Sequence, residues 1–168
     1  MFPPKSDWLP PEHPFPDLHD AKEISIDVET RDPDLKSRGP GWPTKNGEVV
    51  GYAIAVPGWK GYFPVGHVGG GNMDARQINK YLKKVFAAPG DKIMHNAQYD
   101  LGWIRAMGFE VNGRIIDTMM TAALLDENRF SYSLNAICYD LLGKTKSEKT
   151  LVEAAREFGV DPKGEMYK

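Results

Sequence analysis

Apolar and polar residues alternate through Glu23-Ile24-Ser25-Ile26-Asp27-Val28-Glu29. A period of two predicts a strand over 23–29, with Ile24, Ile26 and Val28 facing a core and Asp27 and Glu29 side by side on the other face. Alternation with small and branched residues predicts a second strand over 49–56 and a third over 61–65. The Pro57-Gly58 turn joins these two as an antiparallel hairpin. The period then changes. Ile78, Leu82, Val85 and Phe86 recur at helical spacing behind a cap at Asn72 or Asp74, and Pro89-Gly90 ends that helix. A short strand over 92–95 leads into a helix over 97–107 that Gly108 closes in the left-handed conformation. A strand over 114–117 leads into a helix over 118–126. Ser131 or Ser133 caps the next helix, which carries Leu134, Ile137, Leu141 and Leu142 on one side and stops at Gly143. Residues 144–149 are polar, and 150–158 pattern as a last amphipathic helix.

Three strands followed by strands alternating with helices predict an α/β fold, a mixed sheet with helices packed on it. Ligands in such sheets sit near strand ends where the connections diverge. The acidic pair ends the first strand, so it stands at such a place. Residues 1–22 hold six prolines and no periodicity, which predicts an extended lead-in or linker. Residues 31–47, rich in Pro, Gly and basic side chains, read as a loop. Gly69-Gly70-Gly71 lacks the lysine and hydroxyl of a phosphate loop and reads as a flexible connection.

Composition narrows the class rather than the activity. The chain has 168 residues, 41% hydrophobic and 26% charged, which suits one folded domain with its own core. A net charge of −2 does not announce a nucleic-acid partner, although bound metals reverse the sign of an acidic cleft. The single cysteine, Cys138, forbids an internal disulfide and fits a reducing, cytoplasmic compartment. No apolar run approaches the length of a membrane span.

Asp27 and Glu29 carry the chemistry of the first strand. Two adjacent carboxylates repel unless a proton or a cation lies between them, and a divalent metal is the usual partner of such oxygen-rich sites. The second feature is His95-Asn96-Ala97-Gln98-Tyr99-Asp100, where Asn96 and Asp100 share one helix face and can aim a third carboxylate at the pair. Asn96 also suits a helix cap, and Tyr99 reads as a packing residue. Asp117 reads as a cap of the following helix, and His67 and His95 as hydrogen-bonded residues rather than metal ligands. Arg31, Lys36, Arg38 and Lys45 crowd the loop after the acidic strand, and Lys144, Lys146 and Lys149 form a second basic group. Either group can track phosphates or serve as solvated surface.

Ile26-Asp27-Val28-Glu29-Thr30, followed about seventy residues later by His95-Asn96-Ala97-Gln98-Tyr99-Asp100-Leu101, resembles the DEDD 3′-5′ exonucleases. The likeness is closest to the proofreading domain of family A DNA polymerases, of the bacterial DNA polymerase I type and including phage versions. Tyr62-Phe63-Pro64-Val65-Gly66-His67, Ile116-Asp117-Thr118-Met119 and the helix from Tyr132-Ser133-Leu134 to Leu142-Gly143 support it. The resemblance implies a ribonuclease H-like fold: a five-stranded mixed sheet, antiparallel over strands 1–3, with strands 4 and 5 parallel to strand 1. It implies an exonuclease domain over 23–160 and a tail over 161–168. Two Mg²⁺ or Mn²⁺ ions on Asp27, Glu29 and Asp100 would hydrolyse the terminal phosphodiester at the 3′ end of single-stranded DNA, with a polymerase domain in the same parent chain. Thr30, Leu35 and Asn96 take the positions of substrate contacts. The family's third motif, Tyr-x-x-x-Asp or His-x-x-x-x-Asp on a later helix, does not occur after residue 150. The expectation is therefore a C-terminally incomplete domain with an exposed apolar face. The rival readings are a catalytically incomplete nucleic-acid-binding module and a standalone RNA-trimming enzyme of the same superfamily.

Overall fold

The computed structural model describes residues 8–144. The helix predicted over 150–158 and the tail lie outside these residues. Five strands form one sheet in the order β3-β2-β1-β4-β5: β1 (Glu23–Arg31), β2 (Glu48–Val56), β3 (Trp59–Pro64), β4 (Asp91–Met94) and β5 (Ile115–Asp117). β1 and β2, and β2 and β3, pair antiparallel. β4 pairs parallel with β1, and β5 parallel with β4. This is the mixed sheet the sequence pattern predicts.

The helices are α1 (Leu35–Arg38), α2 (Ala75–Ala87), α3 (Ala97–Ala106), α4 (Thr118–Leu125) and α5 (Leu134–Leu142). Asp74, not Asn72, caps α2, its Oδ1 accepting from the amides of Arg76 at 2.8 Å and Gln77 at 3.0 Å. Asn72 instead brackets His67, accepting from its amide and donating to its carbonyl. Ser133 rather than Ser131 caps α5. Ile78, Leu82, Val85 and Phe86 make the buried stripe of α2. They join Ile24, Ile26 and Val28 of β1, Tyr52 and Ile54 of β2, Phe63 of β3, and Trp103 and Ile104 of α3 in one core. The apolar set of β1 is thereby spent on the core, which leaves Asp27 and Glu29 on the opposite face.

β1 is longer than its alternating pattern. A bulge between Glu29 and Thr30 lets Thr30 and Arg31 go on pairing with Val49 and Glu48. The segment read as a loop over 31–47 contains α1 and a 3₁₀ turn at Trp42–Thr44. Residues 8–22 hold no helix or strand, yet Leu18 is buried and the Phe15 ring meets those of Phe63 and Tyr81. No helix among the described residues is long and apolar enough to cross a membrane.

Candidate active site

The hairpin register sets the floor of the site. Across β3, β2 and β1 the rows are Lys60-Ala55-Ser25, Tyr62-Ala53-Asp27 and Pro64-Gly51-Glu29. Every β2 position in these rows is glycine or alanine, so the sheet is low beside the two acids. A cleft of about 800 Å³ runs along this face, lined by Asp27 with Ser25, Ala53, Tyr62, Ile93 and His95 among others. Gly51 has a specific reason to be glycine. A Cβ there would stand 2.1 Å from the Tyr62 hydroxyl, so that oxygen lies over Gly51, in the row of Glu29. The Tyr62 hydroxyl bonds His67 Nε2, and burial together with the charges of Glu29 and Asp27 pushes it above the ordinary tyrosine range. Sequence reasoning gave Tyr62 no role. The Pro57-Gly58 turn was the available signal, because a two-residue hairpin loop fixes which β3 residue stands level with Asp27.

Asp100 reaches the acidic pair through a gap in the sheet. β4 pairs with β1 only as far as Ser25, and after Met94 the chain turns into α3. The next amide on that edge of β1 therefore has no strand partner. Asp100 supplies one, its Oδ1 accepting from Val28 N at 3.1 Å. A carboxylate from α3 is thus fixed to the residue between Asp27 and Glu29. It is 3% exposed, and burial, then the negative charges of Asp27 and Glu29, raise its pKa to about 7. The Val28 amide opposes that shift but does not cancel it.

The start of α3 is built by a neighbour. Asn96 adopts the left-handed conformation (φ 64°) and its side chain caps nothing, contrary to the sequence expectation. Asp117 does that work. Its two carboxylate oxygens accept from the amides of Asn96 at 3.0 Å and Ala97 at 2.9 Å, while Oδ1 also takes the amide of Met119 at the head of α4. One acid holds two helix N-termini, which extends the capping role read from the sequence. The Asn96 side chain is left exposed. His95 Nδ1 pairs with the Thr118 hydroxyl at 2.9 Å, a hydrogen-bonded histidine as read.

Tyr99 does more than pack. It donates to Asp32 Oδ2 at 3.1 Å and lies 2.6 Å from Thr30 Oγ1. A phenol has one hydrogen, so Thr30 is the donor in the second bond. Asp32 Oδ2 also takes the Gly41 amide at 3.0 Å. The segment after β1 is therefore tied to α3. Leu35, the first residue of α1 in that segment, is 41% exposed.

The site offers hard oxygen donors and surplus negative charge, which are the properties a divalent cation requires. The three acids are not a closed cage. Among the described residues no three of His, Cys, Asp and Glu stand close enough to hold an ion by themselves. Water and phosphate oxygens ordinarily complete the shell of such ions.

Residues 12–158 match the family model described as 3′-5′ exonuclease, of the DNA polymerase A class. The chain belongs to this exonuclease family. The DNA-directed DNA polymerase of Pseudomonas phage M6 is 37% identical over 170 residues, covering 96% of this chain and 25% of that protein. The chain thus spans about a quarter of that relative's length. A structure of Brucella melitensis NrnC with bound Mg²⁺ matches with a TM-score of 0.56 at 16% identity, over 90% of this chain and 83% of that one. Escherichia coli RNase D, described as an exoribonuclease involved in structured RNA processing, matches with a TM-score of 0.54 at 18% identity, over 79% of this chain and 31% of that one. At such identities the likeness establishes the fold, which is the ribonuclease H-like sheet of the DEDD exonucleases. As a member of a two-metal exonuclease family the chain is a nuclease domain.

Proposed function

We propose that the chain removes nucleotides from the 3′ end of single-stranded DNA, as the proofreading domain of a parent polymerase, with Asp27, Glu29 and Asp100 as its metal-binding acids. The observation that carries this is the bond from Val28 N to Asp100, which brings the third acid to the first two across 72 residues of chain. When bound, divalent ions supply a water of lowered pKa and neutralise charge at the scissile phosphate. The residues themselves orient and select. Thr30, whose proton is committed to Tyr99, presents an acceptor only, which suits a hydroxyl donor such as a terminal 3′-OH. Leu35 offers an exposed apolar side chain against a base, and Asn96 an uncommitted amide at the head of α3.

The test is release of mononucleotides from a 3′-labelled oligonucleotide in Mg²⁺ or Mn²⁺, by this chain and by the full parent polymerase. Asp27→Ala with Glu29→Ala is expected to lower the rate by about 100-fold or more, since a metal's own ligands matter at least as much as their supports. Release that survives the double substitution contradicts the assignment. Release from RNA in preference to DNA supports the RNA-trimming alternative instead.

A further inference from the structure

The outer face of α3, turned away from Asp100, borders a second cleft of about 660 Å³. Its walls include Gln98, Leu101, Gly102 and Arg105 from α3, and Trp42 and Lys45 from the segment after β1. The four helix residues fall at i, i+3, i+4 and i+7, so they form one stripe. The opposite stripe, Ala97, Asp100, Trp103 and Ile104, is the buried one. Gly102 makes the cleft possible. A Cβ there would lie 2.4 Å from the Trp42 indole, so the missing side chain seats the ring against the helix.

The charges of this cleft are of one sign. No acid lines it. Elsewhere in the described residues four arginines are matched to acids, Arg31 with Glu48, Arg38 with Asp34, Arg114 with Asp91 and Arg129 with Asp140, while Arg76 on α2 is not. Lys45 and Arg105 belong to none of these ion pairs. Two cations, an indole and the Gln98 amide thus converge on one groove in a chain of net charge −2.

We propose that this groove binds the sugar-phosphate backbone of a DNA strand, as a contact site separate from the acidic cleft. The inference rests on the nuclease reading for its ligand class, since a strand entering the acidic cleft needs anchorage away from its end. Lys45 and Arg105 pair with phosphates, and Gln98 donates to phosphate or sugar oxygens. The indole of Trp42 gives a sugar or base an apolar surface. Tyr99 ties the segment that carries Trp42 and Lys45 to α3, so the groove and Asp100 are held by one rigid helix.

The experiment measures binding of a fluorescein-labelled single-stranded DNA oligonucleotide by anisotropy across a salt series. It is run in EDTA, so that cleavage plays no part. Lys45→Ala with Arg105→Ala is compared with the unaltered chain, and circular dichroism confirms that the variant is folded. The expected result is binding weakened roughly tenfold or more at low salt, with the slope of log K against log salt reduced by about 1.4, the value for two lost single-strand phosphate contacts. Gly102→Ala, which displaces the indole without removing charge, is expected to weaken binding with the slope unchanged. An unaltered affinity and slope in the double variant overturns the proposal, as does an absence of DNA binding by the unaltered chain. The two readings fail separately. Cleavage that survives Asp27→Ala with Glu29→Ala removes the nuclease site and leaves the groove's salt slope as measured.

Discussion

Asp100 retains its proton up to about pH 7 in the folded protein because it is buried beside two other acids, whereas an ordinary aspartate loses it near 3.8. A pKa raised on folding stabilises the fold fully below the ordinary value, and that contribution is lost as pH rises through about 7. Metal-free protein is therefore expected to lose stability between pH 5 and pH 8, and Asp100→Asn to lose less. Thermal melts in EDTA check this, with the fall in Tm smaller in the variant by at least about 5 °C. Parallel curves for the two proteins contradict it. Much of the site was legible at this scale. Alternation alone placed Asp27 and Glu29 on one face, but the shared face expected of Asn96 and Asp100 is not formed: Asn96 stands in the left-handed conformation ahead of α3 with its side chain exposed, while Asp100 is buried and held by the Val28 amide. The role of Tyr99 was not legible, since its hydroxyl serves Thr30 and Asp32, which are 69 and 67 residues away. Nor was the left-handed turn at Asn96, because the acid that caps α3 in its place comes from the end of β5.

Among the elements, β4 contains the least expected feature. Lys92 is completely buried, and its ammonium donates to the carbonyls of Ala88 at 2.7 Å, Gly90 at 2.7 Å and Asn112 at 2.9 Å. Three donors meet three acceptors, which is what allows a charge to stay in the interior. The ammonium joins the end of α2 to the loop ahead of β5 and so fixes where β4 begins. Lys92→Met keeps the length of the side chain but leaves three carbonyls without a donor. It is expected to destabilise by about 3 kcal/mol or more, read as a lower urea midpoint with the m-value unchanged. A strand pattern does not reveal such a lysine, because its partners come from turns whose geometry no periodicity encodes. Strand pairing was more accessible. Pro57-Gly58 fixed the hairpin, while the bulge that carries β1 on to Arg31 follows from pairing with β2 and leaves no trace in β1's own alternation.

At the scale of the whole molecule, the strand directions agree with the resemblance drawn from the two acidic motifs, and the structure adds the order β3-β2-β1-β4-β5. The packing of Phe15 and Leu18 was invisible to a pattern search because the segment that carries them has no period. The surface also bears a consequence. Leu124, Leu125, Leu141 and Leu142 on α4 and α5, with Phe130 between the helices, are each at least 62% exposed. Large apolar surfaces of this kind favour association. The chain alone is expected to show a concentration-dependent rise in apparent mass by light scattering, which Leu124→Glu with Leu141→Glu abolishes. A constant monomer mass contradicts the expectation.

The proposed nuclease site requires acids from β1 and from α3 to hold metal together for phosphodiester hydrolysis. The most direct measurement is the anomalous difference density of crystals soaked in Mn²⁺ with a short single-stranded DNA. Peaks are expected in direct contact with carboxylate oxygens of Asp27, shared with Glu29 or Asp100, and are expected to disappear in Asp27→Ala. Manganese found elsewhere, with Asp27, Glu29 and Asp100 untouched, contradicts the proposed site.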